Sequence, residues 1–136
     1  VSLVSALEER LRGVPDLVEA TAGRIGTSKR LSGVPAIVIR VVADPRPQHF
    51  KGFILARPSE VQVDVWAGSD ALAGTIAKSV IAALCPAADV AGVRFQRAMI
   101  TNVRGGPEQE RSAPTPRLQA ELFRHSIDFT FTHNAT

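Results

Sequence analysis

Between residues 123 and 133 the chain alternates almost without a break. Phe123, His125, Ile127, Phe129 and Phe131 fall on one side, and Arg124, Ser126, Asp128, Thr130 and Thr132 on the other. A period of two predicts a half-buried strand. Residues 60–67 repeat the pattern, with Val61, Val63 and Val65 facing one way and Gln62, Asp64 and Trp66 the other. The β-branched run at 35–43 predicts another strand, with Ile37, Ile39 and Val41 sharing a face. Pro45 and Pro47 break it, and a strand over 49–57 is expected next. The Pro58-Ser59 break then leads into 60–67, so these strands read as a meander. A fourth strand, with blurred alternation, is expected over 93–103.

Helical spacing appears twice. Ser2 is placed to cap a first helix in which Leu3, Leu7, Leu11 and Val14 recur at three and four residues, until Gly13 and Pro15 interrupt it. A short further turn over 15–20 turns Leu17 and Val18 inward. Gly23, Gly26, Ser28, Ser32 and Gly33 then mark a loop. Gly68, Ser69 and Asp70 introduce the longest helix, with Leu72, Ile76, Val80, Ala83 and Leu84 as its expected core face and Pro86 as its stop. Ala71, Ala73, Ala77 and Ala82 lie on its other sides, where they permit close approach of a neighbour. Residues 104–117 carry two glycines, three prolines and several charges without periodicity, and read as the longest loop. The fold class expected is α+β: a mainly antiparallel sheet of about four to five strands with two helices packed on it.

At 136 residues the chain reads as one domain. With 45% hydrophobic and 21% charged residues the composition is that of an ordinary globular protein, and no apolar run approaches the roughly 20 residues that span a bilayer. A soluble, intracellular protein is expected, with no membrane partner. The amino terminus carries Glu8 and Glu9 and lacks the basic and long apolar regions of a signal peptide. The net charge is +3, and the 16 basic residues are mostly arginines spread along the chain. No Lys/Arg block marks a nucleic-acid arm.

Candidate chemistry is sparse. Cys85, the single cysteine, has no internal disulfide partner and reads as a small buried hydrophobe before Pro86. His125 and His133 stand eight residues apart on one strand, about 26 Å at roughly 3.3 Å per residue, too far to share a metal ion. His49 has no partner at ligand spacing, so neither a metal nor a cofactor is expected. Asp64 and Asp128 would approach if their strands were neighbours, as paired carboxylates must for acid and base work. With no nucleophile or phosphate loop nearby they read as solvated polar-face residues. Arg104-Gly105-Gly106 is a single glycine turn. Trp66, on the polar face of its strand, is a candidate interface anchor or is covered by a helix of the same chain.

The phrases and their order resemble a known family. A helix with Ala6, Leu7, Arg10 and Leu11 leads to Gly23-Arg24-Ile25 and then to a Val34-Pro35-Ala36-Ile37-Val38 strand. Next come Val61-Gln62-Val63-Asp64-Val65-Trp66-Ala67, an Ala-rich helix, and a closing Arg124-His125-Ser126-Ile127-Asp128-Phe129. This is similar to the tail-completion proteins of long-tailed phages and gene transfer agents, the tail terminators or tail-to-head joining proteins. The resemblance covers nearly the whole chain and none of its phrases is chemical. It departs at Pro45-Arg46-Pro47 and over 104–117.

The resemblance implies a non-enzymatic virion component made in the bacterial cytoplasm, a small α+β protein forming a hexameric ring at the tail-head junction. Its partners would be further copies of itself, the tail tube protein and the head-tail connector, with DNA only as passing cargo. Trp66 and the Ala-rich helix are then candidates for subunit contacts. Residues 44–51, with Arg46, His49 and Phe50, and residues 104–117, with Arg104, Glu108, Glu110 and Arg111, are candidates for docking axial neighbours or lining the channel. The alternatives are an adaptor or stopper on the connector side, a small basic nucleic-acid-binding module, and a small hydrolase using Asp64 and Asp128.

Overall fold

A computed structural model describes residues 2–27, 33–49, 52–53, 56–109 and 121–135. The first helix, α1 (Leu3–Arg12), begins where expected: the Ser2 hydroxyl accepts the Ser5 N–H at 3.1 Å, and Leu3, Ala6, Leu7 and Leu11 are buried. Pro15 opens α2 (Pro15–Thr21), where its missing N–H costs nothing, and Ala22 closes it in the left-handed region at φ 51°. After β1 (Ile25–Thr27) and β2 (Ala36–Ala43) come the two-residue strands β3 (Gln48–His49) and β4 (Gly52–Phe53), followed by β5 (Arg57–Ala67). The long helix α3 (Asp70–Leu84), capped by Ser69, precedes β6 (Ala88–Val90), β7 (Val93–Phe95), β8 (Met99–Gln109) and β9 (Glu121–His133).

Strand β9 is the spine of the sheet. β5 runs antiparallel along one edge, from Ala67 opposite Phe123 to Arg57 opposite His133. β8 runs along the other edge, and β7 continues that edge at the Phe95–His133 pair. β2 lies outside β5, β1 lies outside β2 in parallel, and β6 pairs β7. The fold is therefore α+β as expected, with corrections. Among the described residues there are three helices, and the main sheet has seven strands and mixes one parallel pair with antiparallel ones. The extra strand β1 sits in the stretch read as a glycine loop.

The meander is also corrected. β2 pairs directly with β5, and the expected strand over 49–57 is replaced by a separate β3–β4 hairpin. Pro58 does not stop β5; it sits within the strand opposite Thr132. The strand expected over 93–103 divides into β7 and β8, and β8 continues through Gly105, Gly106 and Pro107 to Gln109, so Arg104 and Glu108 are strand residues. The remainder of the predicted loop, residues 110–117, lies outside the described residues.

The helices cover one face of the sheet. Ile37, Ile39, Val61, Val63, Val65, Ile127, Phe129 and Phe131 point into this core from the alternating positions the sequence predicts. Phe131 meets Phe95 edge-on at 5.8 Å and stacks on Phe129 at 5.2 Å. Helix α3 is rotated from its expected setting. Leu72 is 40% exposed, while Ala73 and Ala77 are buried with Ile76, Val80 and Leu84. Small side chains let the helix lie close to strands already filled by valine and phenylalanine. Cys85 is buried, as expected of a packing residue.

Candidate functional site

The face of the sheet opposite the helices brings together residues that are far apart in sequence. Register places Val38, Asp64, Ser126 and Arg104 in one row across β2, β5, β9 and β8. Ala36, Trp66, Arg124 and Gly106 form the row on one side of it, and Arg40, Gln62, Asp128 and Asn102 the row on the other. Two of the predicted interface residues, Trp66 and Arg104, thus share this face. The Arg124 guanidinium lies 5.3 Å from the centre of the Trp66 ring, which makes the half-buried Trp66 one half of a cation–π pair. Arg104 donates to Asp128 at 2.6 Å, and that hydrogen bond, with the charge behind it, raises the Arg104 pKa.

Asp64 departs from the solvated reading. It is 1% exposed and accepts from the Ser126 hydroxyl at 2.6 Å and from the Gln62 amide at 2.8 Å. The neighbouring strands do bring Asp64 and Asp128 to diagonal positions of one face. Their partners differ, however: Asp64 is held by neutral donors beneath the surface, and Asp128 by Arg104 at it. Beside Asp128 a cavity of about 210 Å³ opens, lined by Val42, Glu60, Gln62 and Thr101 among others.

A second polar cluster lies where β5 and the end of β9 meet. The Ala135 N–H donates to His133 Nδ1 at 3.0 Å, so the remaining ring proton of the neutral imidazole is on Nε2, which stands 2.7 Å from Ser59 Oγ. Ser59 in turn donates to Asp44 at 2.7 Å, and Arg57 and Arg46 each approach that carboxylate at 3.0 Å. Serine, histidine and aspartate are the residue types of a hydrolytic triad, but the protons run the wrong way. A triad needs the imidazole to accept the serine proton; here the imidazole donates and the serine gives its proton to the carboxylate. Ser59 and His133 are also buried. The cluster is a structural tie between the β2–β5 connection and the end of β9. Sequence reading missed it, although Arg57 and Ser59 at inward positions of an otherwise apolar alternation were its signal.

This tie sets a pH dependence. Burial, then the neighbouring Arg57, holds the His133 imidazole below its usual value, outweighing the opposing pull of Asp44. Burial pushes Asp44 up, but the Ser59 hydroxyl and Arg57 bonds and the charges of Arg57 and Arg46 bring it below the usual carboxylate value. Both contributions to stability are whole at neutral pH. The His133 part is lost as pH falls from the usual imidazole value of about 6.5 toward the lower one in the fold, and the Asp44 part is lost below about pH 4. The urea midpoint is expected to drop as pH is lowered from 7 to about 5, and His133→Gln should flatten that slope. An unchanged slope in the variant would remove His133 as its cause.

His125 behaves as a half-buried strand residue with one nitrogen engaged, since Nε2 stands 2.9 Å from Asp70 Oδ1 at the start of α3. Its ring lies across Gly105, where a Cβ would come within 2.9 Å of Cε1, so a side chain there would have to displace the ring. Among the other predicted residues, Arg46 belongs to the Asp44 cluster, away from Trp66 and Arg104. The backbones of His49 in β3 and Glu108 in β8 are placed but their side chains are not described; Phe50, Glu110 and Arg111 lie outside the described residues. Among the described residues no group of His, Cys, Asp and Glu is arranged to hold a metal ion, and no helix is long and apolar enough to cross a membrane.

The fold is similar to that of a chain in the solved virion of a native gene transfer agent particle. The TM-score is 0.67 at 14% sequence identity, and the match covers 98% of this chain and 96% of that one. No protein-family model matches the chain, and no curated protein matches it by sequence.

Proposed function

We propose that this chain is a structural virion component that forms a ring, most simply of six subunits, terminating the tail tube and joining it to the head-tail connector around a channel for DNA. The observation that carries the reading is the end-to-end likeness of the fold to a chain of a gene transfer agent virion. The resemblance of the Val61–Trp66 and Arg124–Phe129 phrases to tail-completion proteins supplies the finer role. The wiring of Ser59 and His133 favours structure over hydrolysis at the one Ser-His-Asp grouping described. A tube of rotational symmetry needs a matching cap, and head-to-tail contacts close into rings.

The mass of the purified protein, measured in solution at low and high salt, tests the reading. A ring held by apolar and strand contacts is expected to keep its mass as salt rises. A monomer that binds DNA, with affinity falling steeply with salt, would instead support the basic nucleic-acid module.

A further inference from the structure

The imidazole of His133 is held at both ring nitrogens, and the two holds respond to a proton in opposite ways. Nδ1 uses its lone pair, accepting the Ala135 N–H at 3.0 Å. Nε2 carries the ring proton and stands 2.7 Å from Ser59 Oγ, whose own proton goes to Asp44 at 2.7 Å. A second proton on the ring can enter only at Nδ1. It leaves the Nε2 side as it is and sets one N–H against another on the Nδ1 side.

What Nδ1 holds is a short segment. Ala135 is 3% exposed and belongs to the core. Between it and the ring, the Asn134 side-chain oxygen accepts the Arg94 N–H at 2.8 Å and so ties the segment to β7. β7 has its own attachment to β9, through the Phe95–His133 pair and the Gln96 N–H to the Thr132 carbonyl at 2.9 Å. β9 is paired with β5 all the way from Ala67 to Arg57. Residues 134–135 can therefore leave without taking the ladder apart, and a local opening of this kind needs far less free energy than global unfolding.

Among the described residues, the charged groups that face the ring are Arg57 of β5 and, after β2, Asp44 and Arg46. The two arginines oppose a charge on the ring. Asp44 draws one, but its carboxylate is already engaged by Ser59, Arg57 and Arg46. β7 adds the uncharged Phe95 ring, 6.1 Å from the imidazole, and Arg10 of α1 lies 5.6 Å from the centre of that phenyl ring.

We propose that His133 is a proton-operated latch: a proton taken up at Nδ1 releases residues 134–135 from the core and from β7, while Ser59, Asp44 and the β5–β9 ladder stay in place. The fall in stability toward pH 5 then begins at one segment, ahead of the global transition.

The test is an NMR titration of the full chain from pH 7 to 5 that follows the His133 ring nitrogens and the backbone amides together. The Ala135 and Arg94 amide resonances are expected to shift with the same midpoint as Nδ1, while those of Val63 and Ile127, in the middle of the ladder, keep their positions. Amide protection at Ala135, corrected for the pH dependence of exchange itself, should fall about ten-fold per pH unit once pH passes below the usual imidazole value of about 6.5, until the latched ring titrates too. In His133→Gln the Ala135 and Arg94 amides should not respond over this range. If that variant does not fold, the ring and amide titrations of the unaltered protein still decide the matter. A ring that takes up its proton while Ala135 stays protected would overturn the latch. So would Ala135 and Arg94 amides that change only together with Val63 and Ile127, or a release that persists in His133→Gln with the same midpoint.

Discussion

Phe131→Ala is expected to lower the unfolding free energy by about 3–5 kcal/mol, the cost typical of emptying a buried aromatic site. Phe131 lies wholly out of solvent between Phe95 and Phe129, and it is carried on the strand that both β5 and β8 pair with. The strands around it are fixed by their ladders and cannot collapse freely into the space left. Against a total of roughly 5–15 kcal/mol for a domain, the loss is a large fraction of the stability. Urea denaturation measures it as a fall in midpoint with an unchanged slope. A change below about 1 kcal/mol would mean that the aromatic cluster is not the centre of the core.

The second large effect is at Asp64. Asp64→Ala removes the acceptor shared by the Ser126 hydroxyl and the Gln62 amide, and it leaves the buried hydroxyl without its partner. Stranding buried donors costs about 1–3 kcal/mol. Among the described residues, Asp128→Ala breaks the bonds to Arg104, a residue that water reaches on β8, and its stability should stay near that of the parent. The pair of variants separates burial from mere membership of the polar face. Equal losses at the two positions would contradict the different environments found for them.

Much of the fold is legible in the sequence because alternation and capping are local. β9, β5 and β2 announce themselves by period two, and Ser2 and Ser69 by their place before helical spacing. What alternation does not encode is which strand lies beside which. The β2–β5 pairing skips the hairpin between them, and β1 joins the sheet through Ile25, Gly26 and Thr27, three residues that are too few to show a period. Gly105 and Gly106 read as breakers because glycine usually is one. Here Gly105 is a strand residue that makes room for the His125 ring arriving from the next strand. Asp64 reads as solvated because its face is polar, whereas in the fold it lies beside Ser126 and is buried.

The interface residues divide in the same way. Trp66 and Arg104 are 38 positions apart and reach one face through two strand pairings, which no spacing rule predicts. Arg46 is drawn instead to Asp44, two residues away, in the cluster around His133.

Imaging the intact particle and locating this chain within it tests the central claim most directly. The account predicts a single closed ring at the junction of tail and head, with copies in the number of the tube's rotational symmetry and a channel through the centre. Copies stacked along the tube, placed in the head shell, or present as isolated two-fold dimers would contradict it.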